Sequence, residues 1–145
     1  MPTVYAGTDI AAPPRRVWDI LSDLPHYAEW NPYMRDARGE LRKGRRLRVK
    51  LEPVPGSGTL TVHPRLVRVE PGREIVWRGG FLVPGVFSGV HTFRIEPSTP
   101  ELTRFVQEEQ FSGILVPLLW EKIAHDTEHG FKAMNEALKA RAEEA

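Results

Sequence analysis

The sequence contains no cysteine, and its apolar runs are all too short to cross a membrane. Without cysteine the chain can form no disulfide, no thiolate nucleophile and no cysteine metal site. A membrane-spanning helix needs about 20 mostly apolar residues, and residues 1–16 lack the basic and apolar segments of a secretory signal. We therefore expect a soluble, cytoplasmic protein.

A large excess of charge of one sign is also missing. Twenty lysines and arginines face 19 aspartates and glutamates, which leaves a formal net charge of +1. So weak an overall field does not favour nucleic acid as a partner. The 145 residues are 41% hydrophobic and 27% charged, an ordinary globular composition. A chain of this length usually forms one domain, so we expect a single domain over residues 1–145.

The chain lacks the motifs that usually bring a cofactor or a covalent nucleophile. No glycine-rich loop precedes a predicted helix as a phosphate site requires, and no serine lies in a triad-like context. His125 and His129 have the spacing of two zinc ligands in HExxH enzymes, but the required glutamate does not follow the first histidine. At about 100° per residue, both lie opposite the apolar stripe of their helix. We predict no metal site and no cofactor.

The first part of the chain predicts one strand and two short helices. Residues 3–10 favour a strand, and the prolines that follow suit a helix start. Apolar residues then recur at three- and four-residue spacing, at Val17, Trp18, Leu21 and Leu24. Pro25 interrupts this helix, and residues 26–30 can form one further turn. Pro32 ends it, because a residue before proline disfavours the α region.

Beyond this corner the apolar period changes from helical to alternating. In RLRVKLE, residues 46–52, apolar and charged side chains alternate as in a strand with one buried face. Four further stretches separated by turn residues also favour strands, the first of them bent or bulged near Pro64. With residues 34–41 and the first strand, about seven strands are predicted.

A long amphipathic helix is predicted after the strands, over roughly residues 117–140 with a start near Val116 or Pro117. One apolar stripe along it faces the protein interior. Its members are Val116, Leu119, Ile123, Thr127, Gly130, Phe131, Met134 and Leu138.

In this order the elements resemble those of the SRPBCC superfamily. That superfamily includes START lipid-transfer domains, birch-pollen-allergen-like proteins and the polyketide cyclase/dehydrase and lipid-transport group. The stretches that carry the likeness cover nearly the whole chain in order: IAAPPRRVWDILSDLPHYAEWNP, RVEPGREIVWRGG, FSGVHTFRIEP, EEQFSG and DTEHGFKAMNEALKARAE.

The resemblance implies an α+β helix-grip fold. In this fold a curved antiparallel sheet, here of six to seven strands, wraps around the long C-terminal helix, and two short helices follow the first strand. The resemblance also implies a cavity between sheet and helix, which members use for lipids, sterols, hormones, quinones or aromatic polyketides. The fold does not select among these ligands.

Strand alternation predicts which side chains face such a cavity. The inner face is expected to be aromatic with three polar exceptions, His91, Gln107 and Glu109. Small-molecule pockets have this character, but a packed core in which the three polar groups satisfy one another fits as well. A register shift of one residue would place Glu108 inside instead of Glu109.

The corner YAEWNPYM, residues 27–34, is expected at one end of the space between sheet and helix, either as a plug alone or in contact with a ligand. With the corner and the long helix included, the predicted ligand-binding residues are Trp30, Tyr33, Trp77, His91, Phe93, Gln107, Glu109, Phe111, Trp120 and Phe131.

Three functions stay open from the sequence. The favoured one is binding or carriage of a hydrophobic small molecule such as a lipid, a quinone or an aromatic polyketide. A cyclase or dehydratase in the same cavity is the alternative, with His91 and Glu109 as its only candidate acid and base. Other branches of the fold suggest a modulator of a partner protein. The basic run RKGRRLRVK, residues 42–50, could also dock weakly on an anionic membrane surface.

Overall fold

The computed structural model describes residues 2–81 and 85–144, and over those residues it contains eight strands, three α-helices and one 3₁₀ turn. The strands are β1 (Thr3–Ile10), β2 (Met34–Arg38), β3 (Arg48–Leu51), β4 (Leu60–Val62), β5 (Arg65–Glu70), β6 (Glu74–Phe81), β7 (Phe87–Thr99) and β8 (Leu102–Ser112). The helices are α1 (Pro14–Leu21), α2 (Tyr27–Trp30) and α3 (Val116–Glu143), with the 3₁₀ turn at Leu24–His26.

The strands form two antiparallel sheets, one in the order β1-β8-β7-β6-β5 and one in the order β2-β3-β4. An antiparallel bridge between Arg46 and Arg65 links them, and the Leu47 amide donates to the Pro64 carbonyl across the same junction at 2.8 Å. The predicted α+β helix-grip fold is confirmed. The predicted number of strands is too low, because Pro64 splits the fourth predicted strand into β4 and β5.

The sheet alternation follows the sequence pattern closely. Ile75 and Trp77 on β6 and Phe93 and Ile95 on β7 are all buried. Val76 and Arg94, the residues between them, are only half-buried. A strand with this alternation can bury only one face. The buried faces of β6, β7 and β8 therefore form the wall that α3 covers.

Helix α3 begins and ends within three residues of the predicted bounds, and most of its predicted stripe is buried. Leu119 is the exception: it stays 46% exposed, beside Leu118 at 79%. Both lie in the first turn of the helix, although Val116 in the same turn is buried. No helix among the described residues is long and apolar enough to span a membrane.

The corner between α2 and β2 is built by Asn31. Its side-chain oxygen accepts hydrogen bonds from the backbone amides of Tyr33 at 3.0 Å and Met34 at 2.8 Å. Such asparagine turns fix a chain reversal without regular structure. Tyr27 is buried below the corner, where its hydroxyl donates to the Leu21 carbonyl. The reversal carries Tyr33 and Met34 into the space under α3.

Tyr33 reaches α3 at Gly130. A methyl group added at Gly130 would lie 2.5 Å from two carbons of the Tyr33 ring, closer than any normal contact. Both residues are buried, so the ring has little room to move away. Gly130 therefore costs helix propensity but allows the corner to pack directly against the helix.

We expect Gly130→Ala to destabilise the protein by about 1–3 kcal/mol, as overpacked core substitutions do. In a Tyr33→Ala background the clash is absent, and the same change should stabilise by up to about 1 kcal/mol through helix propensity. Urea unfolding of the four proteins in this double-mutant cycle measures the coupling. Equal effects of Gly130→Ala in both backgrounds would contradict the contact.

Candidate ligand-binding cavity

A cavity of about 170 Å³ lies between the buried face of the sheet and α3. Its walls are mostly apolar and aromatic, with a small polar group of side chains on β7, β8 and α3. The lining residues are Tyr33, Met34, Leu51, Pro53, Leu60, Val62, Pro64, Trp77, Gly79, Gly80, Phe87, Gly89, His91, Glu109, Phe111, Ile123, Asp126 and Thr127.

Half of the predicted ligand-binding residues lie on the cavity wall, namely Tyr33, Trp77, His91, Glu109 and Phe111. The other half do not line it. Phe93 stacks on the His91 ring at a centroid distance of 4.0 Å, and Phe131 packs against the same ring at 4.8 Å. Direct ligand contact therefore stays a prediction for the first five only.

The remaining three predicted contacts also lie behind the wall. Trp120 packs edge-on against Phe111, with ring centroids 5.9 Å apart, and Trp30 packs in the same way against Tyr27. Gln107 is fully buried and takes part in hydrogen bonds inside the protein. Alternation identifies which side chains lie on the inner face of a strand. It does not show which of them are covered by a neighbouring element and which line a cavity. This applies to Phe93 and Gln107, whereas Trp30, Trp120 and Phe131 are predicted from the corner and the long helix.

Several wall residues had no signal that singled them out in the sequence. Leu60 and Val62 lie on the short strand β4, whose mixed composition gives little alternation. Asp126 lies on α3 among polar and charged residues, whereas its neighbour Thr127 belongs to the predicted stripe. Their place on the wall depends on the rotation of α3 against the sheet, which only the packed structure fixes.

A chain of buried polar groups joins the sheet to α3. The side-chain NH₂ of Gln107 donates to the Asn135 side-chain oxygen at 2.8 Å, so the Gln107 oxygen is turned towards His91. It lies 3.0 Å from Nε2 of His91. A carbonyl oxygen can only accept, and Nε2 must therefore carry the proton. Nδ1 of the neutral ring is left as an acceptor.

His91 is held in its neutral form. Its side chain is 3% exposed, and burial lowers the pKa of His91 to about 3, which the hydrogen bond to Gln107 offsets only in part. Phe93, Phe131 and Trp77 surround the ring. At neutral pH this histidine neither carries a charge nor neutralises one.

Glu109 lies opposite His91 in the β7–β8 register and lines the cavity. Its Oε1 is 3.7 Å from Nδ1 of His91, which is too long for a hydrogen bond. Its Oε2 lies over Gly89, where an added methyl group would come within 2.2 Å of it. The Glu109 side chain keeps 18% of its surface accessible, and its partial burial raises the pKa of Glu109 to about 8. The strand register therefore places Glu109, and not Glu108, on the cavity side of β8, as predicted.

Tyr33 completes the polar part of the wall. Burial, with a smaller contribution from the nearby charge of Glu109, raises the pKa of the Tyr33 phenol above its usual range. The hydroxyl therefore stays protonated at any physiological pH. It supplies a neutral group beside the Glu109 carboxyl.

Asp126 lies at the edge of the cavity nearest the solvent. Lys122 donates to it at 2.9 Å and His125 lies 3.2 Å from it, and these two partners hold the pKa of Asp126 below its usual value. His125 and His129 are exposed, as their helical positions predict, and Nδ1–H of His129 donates to the Pro53 carbonyl at 2.9 Å. Among the described residues, no three histidine, aspartate or glutamate side chains group as metal ligands would.

The fold and the cavity together define a START-like helix-grip domain. The sequence matches the family described as polyketide cyclase/dehydrase and lipid transport over residues 1–143. The chain belongs to this family, within the superfamily that its sequence resembles. No curated protein matches the sequence.

Solved structures share this fold across the whole chain. A START superfamily protein from Mycobacterium smegmatis is 18% identical, with a TM-score of 0.78 and 97% of each chain covered. The Zhui aromatase/cyclase from Streptomyces sp. R1128 is 22% identical, with a TM-score of 0.79, and the match covers 97% of this chain and 93% of that one. At 18–22% identity, these matches show a shared fold only.

The pKa of Glu109 predicts how stability depends on pH. The unfolded chain releases the Glu109 proton near pH 4.5, while the folded protein keeps it up to about pH 8. As the pH rises between these values, the unfolded state is favoured. We therefore expect Glu109→Gln to have a higher free energy of unfolding than the parent. The difference should grow from pH 5 to pH 8, where it should reach a few kcal/mol to within about a factor of two.

Urea unfolding at pH 5, 6.5 and 8 measures this margin. Glu108→Gln is the matched control, because Glu108 is the neighbouring carboxylate on the other face of β8. Its stability difference should not change with pH in this way. A constant difference for Glu109→Gln over the same range would contradict the burial of an uncompensated carboxyl.

Proposed function

We propose that the protein binds and carries a small hydrophobic molecule in the cavity between its sheet and α3. The observation that carries this proposal is a wall of apolar and aromatic side chains with one localised polar group, formed by Glu109, His91 and Tyr33. Sites for small organic ligands combine these features, since the apolar area gives affinity and a few polar atoms fix orientation. Membership of a family described by lipid transport and polyketide cyclisation supports a role of this kind.

The volume of the cavity limits the size of the ligand. At about 170 Å³ it is close to an engineered cavity of about 150 Å³ that binds benzene. It can enclose a single ring or the head group of a larger molecule. A long-chain lipid or a polycyclic polyketide would have to extend past Leu60, which lines the cavity and is 45% exposed.

Proton-transfer catalysis is the second candidate, because a carboxyl and an imidazole acceptor face each other on the wall. Protonated Glu109 is a possible general acid, and Nδ1 of His91 is a possible base. In an enzyme of this kind, Glu109→Gln should lower turnover by about 10²-fold or more. In a carrier, the same change alters binding only.

Thermal unfolding with added ligand tests the binding proposal. We expect single-ring compounds such as toluene and benzyl alcohol to stabilise the protein more than a C16 fatty acid does. A ligand at a hundred times its dissociation constant adds about 2.7 kcal/mol if it binds only the folded state. For a domain of this size that corresponds to a rise in Tm of roughly 5–10 °C.

Gly89→Phe should abolish this rise, since a side chain at Gly89 projects into the cavity. Val90→Phe is the matched control, because Val90 is the next residue and points to the other face of β7. If Gly89→Phe does not fold, Val62→Trp narrows the same cavity from β4. Equal stabilisation of the parent and a folded cavity-filling variant, or no stabilisation of the parent by any compound, would contradict binding in this cavity.

A further inference from the structure

We infer that the ligand is an organic cation, an aromatic or otherwise apolar molecule that carries a protonated amine and places it against Glu109. This inference rests on the proposed function and names the ligand class for the same cavity. It depends on the charges of the wall, on the orientation of His91 and on the aromatic rings around the polar group.

The described part of the cavity wall contains two carboxyl groups and no lysine or arginine to balance them. Among its described lining residues, Glu109 and Asp126 are acidic and none is lysine or arginine. Asp126 is already paired with Lys122 at the edge. Glu109 is the carboxyl left without a cation, and a ligand that supplies one would offset the cost of its ionisation.

The remaining groups beside Glu109 also favour a ligand that donates hydrogen bonds. Nε2–H of His91 donates to the Gln107 side-chain oxygen, so the Nδ1 lone pair is left free on the side of Glu109, whose Oε1 lies 3.7 Å away. The carboxylate oxygens and this nitrogen are all acceptors. An ammonium group has three donors and no acceptor, which matches this arrangement. A carboxylate ligand such as a fatty acid would face the Nδ1 lone pair and, wherever Glu109 is ionised, a like charge, while the Tyr33 hydroxyl could still donate to it.

Aromatic rings complete a site for a cation. Trp77 and Tyr33 line the cavity with Glu109, and Phe111 and Phe87 form the adjoining wall. The faces of such rings attract cations, and aromatic cages are a known way to hold an alkylated ammonium. The same rings accept the apolar body of the ligand, so both ends of an aromatic amine are matched.

Binding of a cation must also displace a proton. The titratable groups that face Glu109 are His91 on β7, Tyr33 before β2 and Asp126 on α3, while β1 places Val4 opposite it. His91 is neutral and Tyr33 stays a phenol, so neither exchanges a proton near neutral pH. At pH 7 the Glu109 carboxyl is mostly protonated. When an ammonium group binds, the proton of Glu109 passes to the buffer, and the ammonium group keeps its own three protons.

Three probes of nearly equal shape separate the possible ligand classes: benzylamine, benzyl alcohol and benzoate. We expect benzylamine to bind about tenfold or more tightly than benzyl alcohol at pH 8, and benzoate to bind most weakly. Titration calorimetry in buffers of different ionisation enthalpy should show release of nearly one proton per benzylamine at pH 7. Benzylamine affinity should rise by roughly tenfold per pH unit between pH 6 and 7.5.

Glu109→Gln should remove the preference for benzylamine over benzyl alcohol, the proton release and the pH dependence. Glu108→Gln, the control on the outer face of β8, should keep all three. If benzyl alcohol or benzoate binds the parent as tightly as benzylamine, the cationic ligand class is wrong although the cavity binds ligands. If none of the three binds, the proposed function itself fails, and the ligand class with it.

Discussion

The arrangement of the interior depends on one buried chain of hydrogen bonds, from His91 through Gln107 to Asn135. Gln107 is inaccessible to solvent, and a buried amide left without partners would cost several kcal/mol, roughly 1–3 for each unpaired group. The chain joins β7, β8 and α3 at one point. It therefore sets how α3 lies on the sheet, and it fixes which nitrogen of His91 carries the proton.

Two glycines near these hydrogen bonds each leave space that a neighbouring side chain occupies. One allows the interior to close, and the other leaves it open. Gly130 lets Tyr33 pack directly against α3, which closes the interior at the corner. Gly89 leaves room for the Glu109 carboxyl on the wall opposite His91. The result is a cavity beside a neutral imidazole, with a carboxyl that no basic group neutralises. A ligand that satisfies this carboxyl would gain affinity from a group that costs the empty protein stability.

The order of elements and the inner faces of the long strands were predictable, because alternation in β6 and β7 is regular and each of these strands buries one face. Strand β8 departs from it, since Val106 is buried between Phe105 and Gln107. The wall itself was only half predictable. Phe93 and Phe131 are as apolar and as regularly spaced as Trp77 and Phe111, yet they pack around His91 instead of lining the cavity. Depth below the surface depends on how α3 and β4 cover the sheet, and those contacts join residues far apart in sequence.

The ionisation of Glu109 tests the central claim most directly, since the cavity, the orientation of His91 and the ligand class all converge on this carboxyl. Carbon-13 NMR of glutamate-labelled protein can follow each carboxyl through a pH titration, with Glu109→Gln to assign the signal. The structure predicts a midpoint near the value of about 8 that burial gives Glu109. A midpoint close to the ordinary glutamate value, about 4.3, would show that the carboxyl is hydrated or paired and would contradict the account.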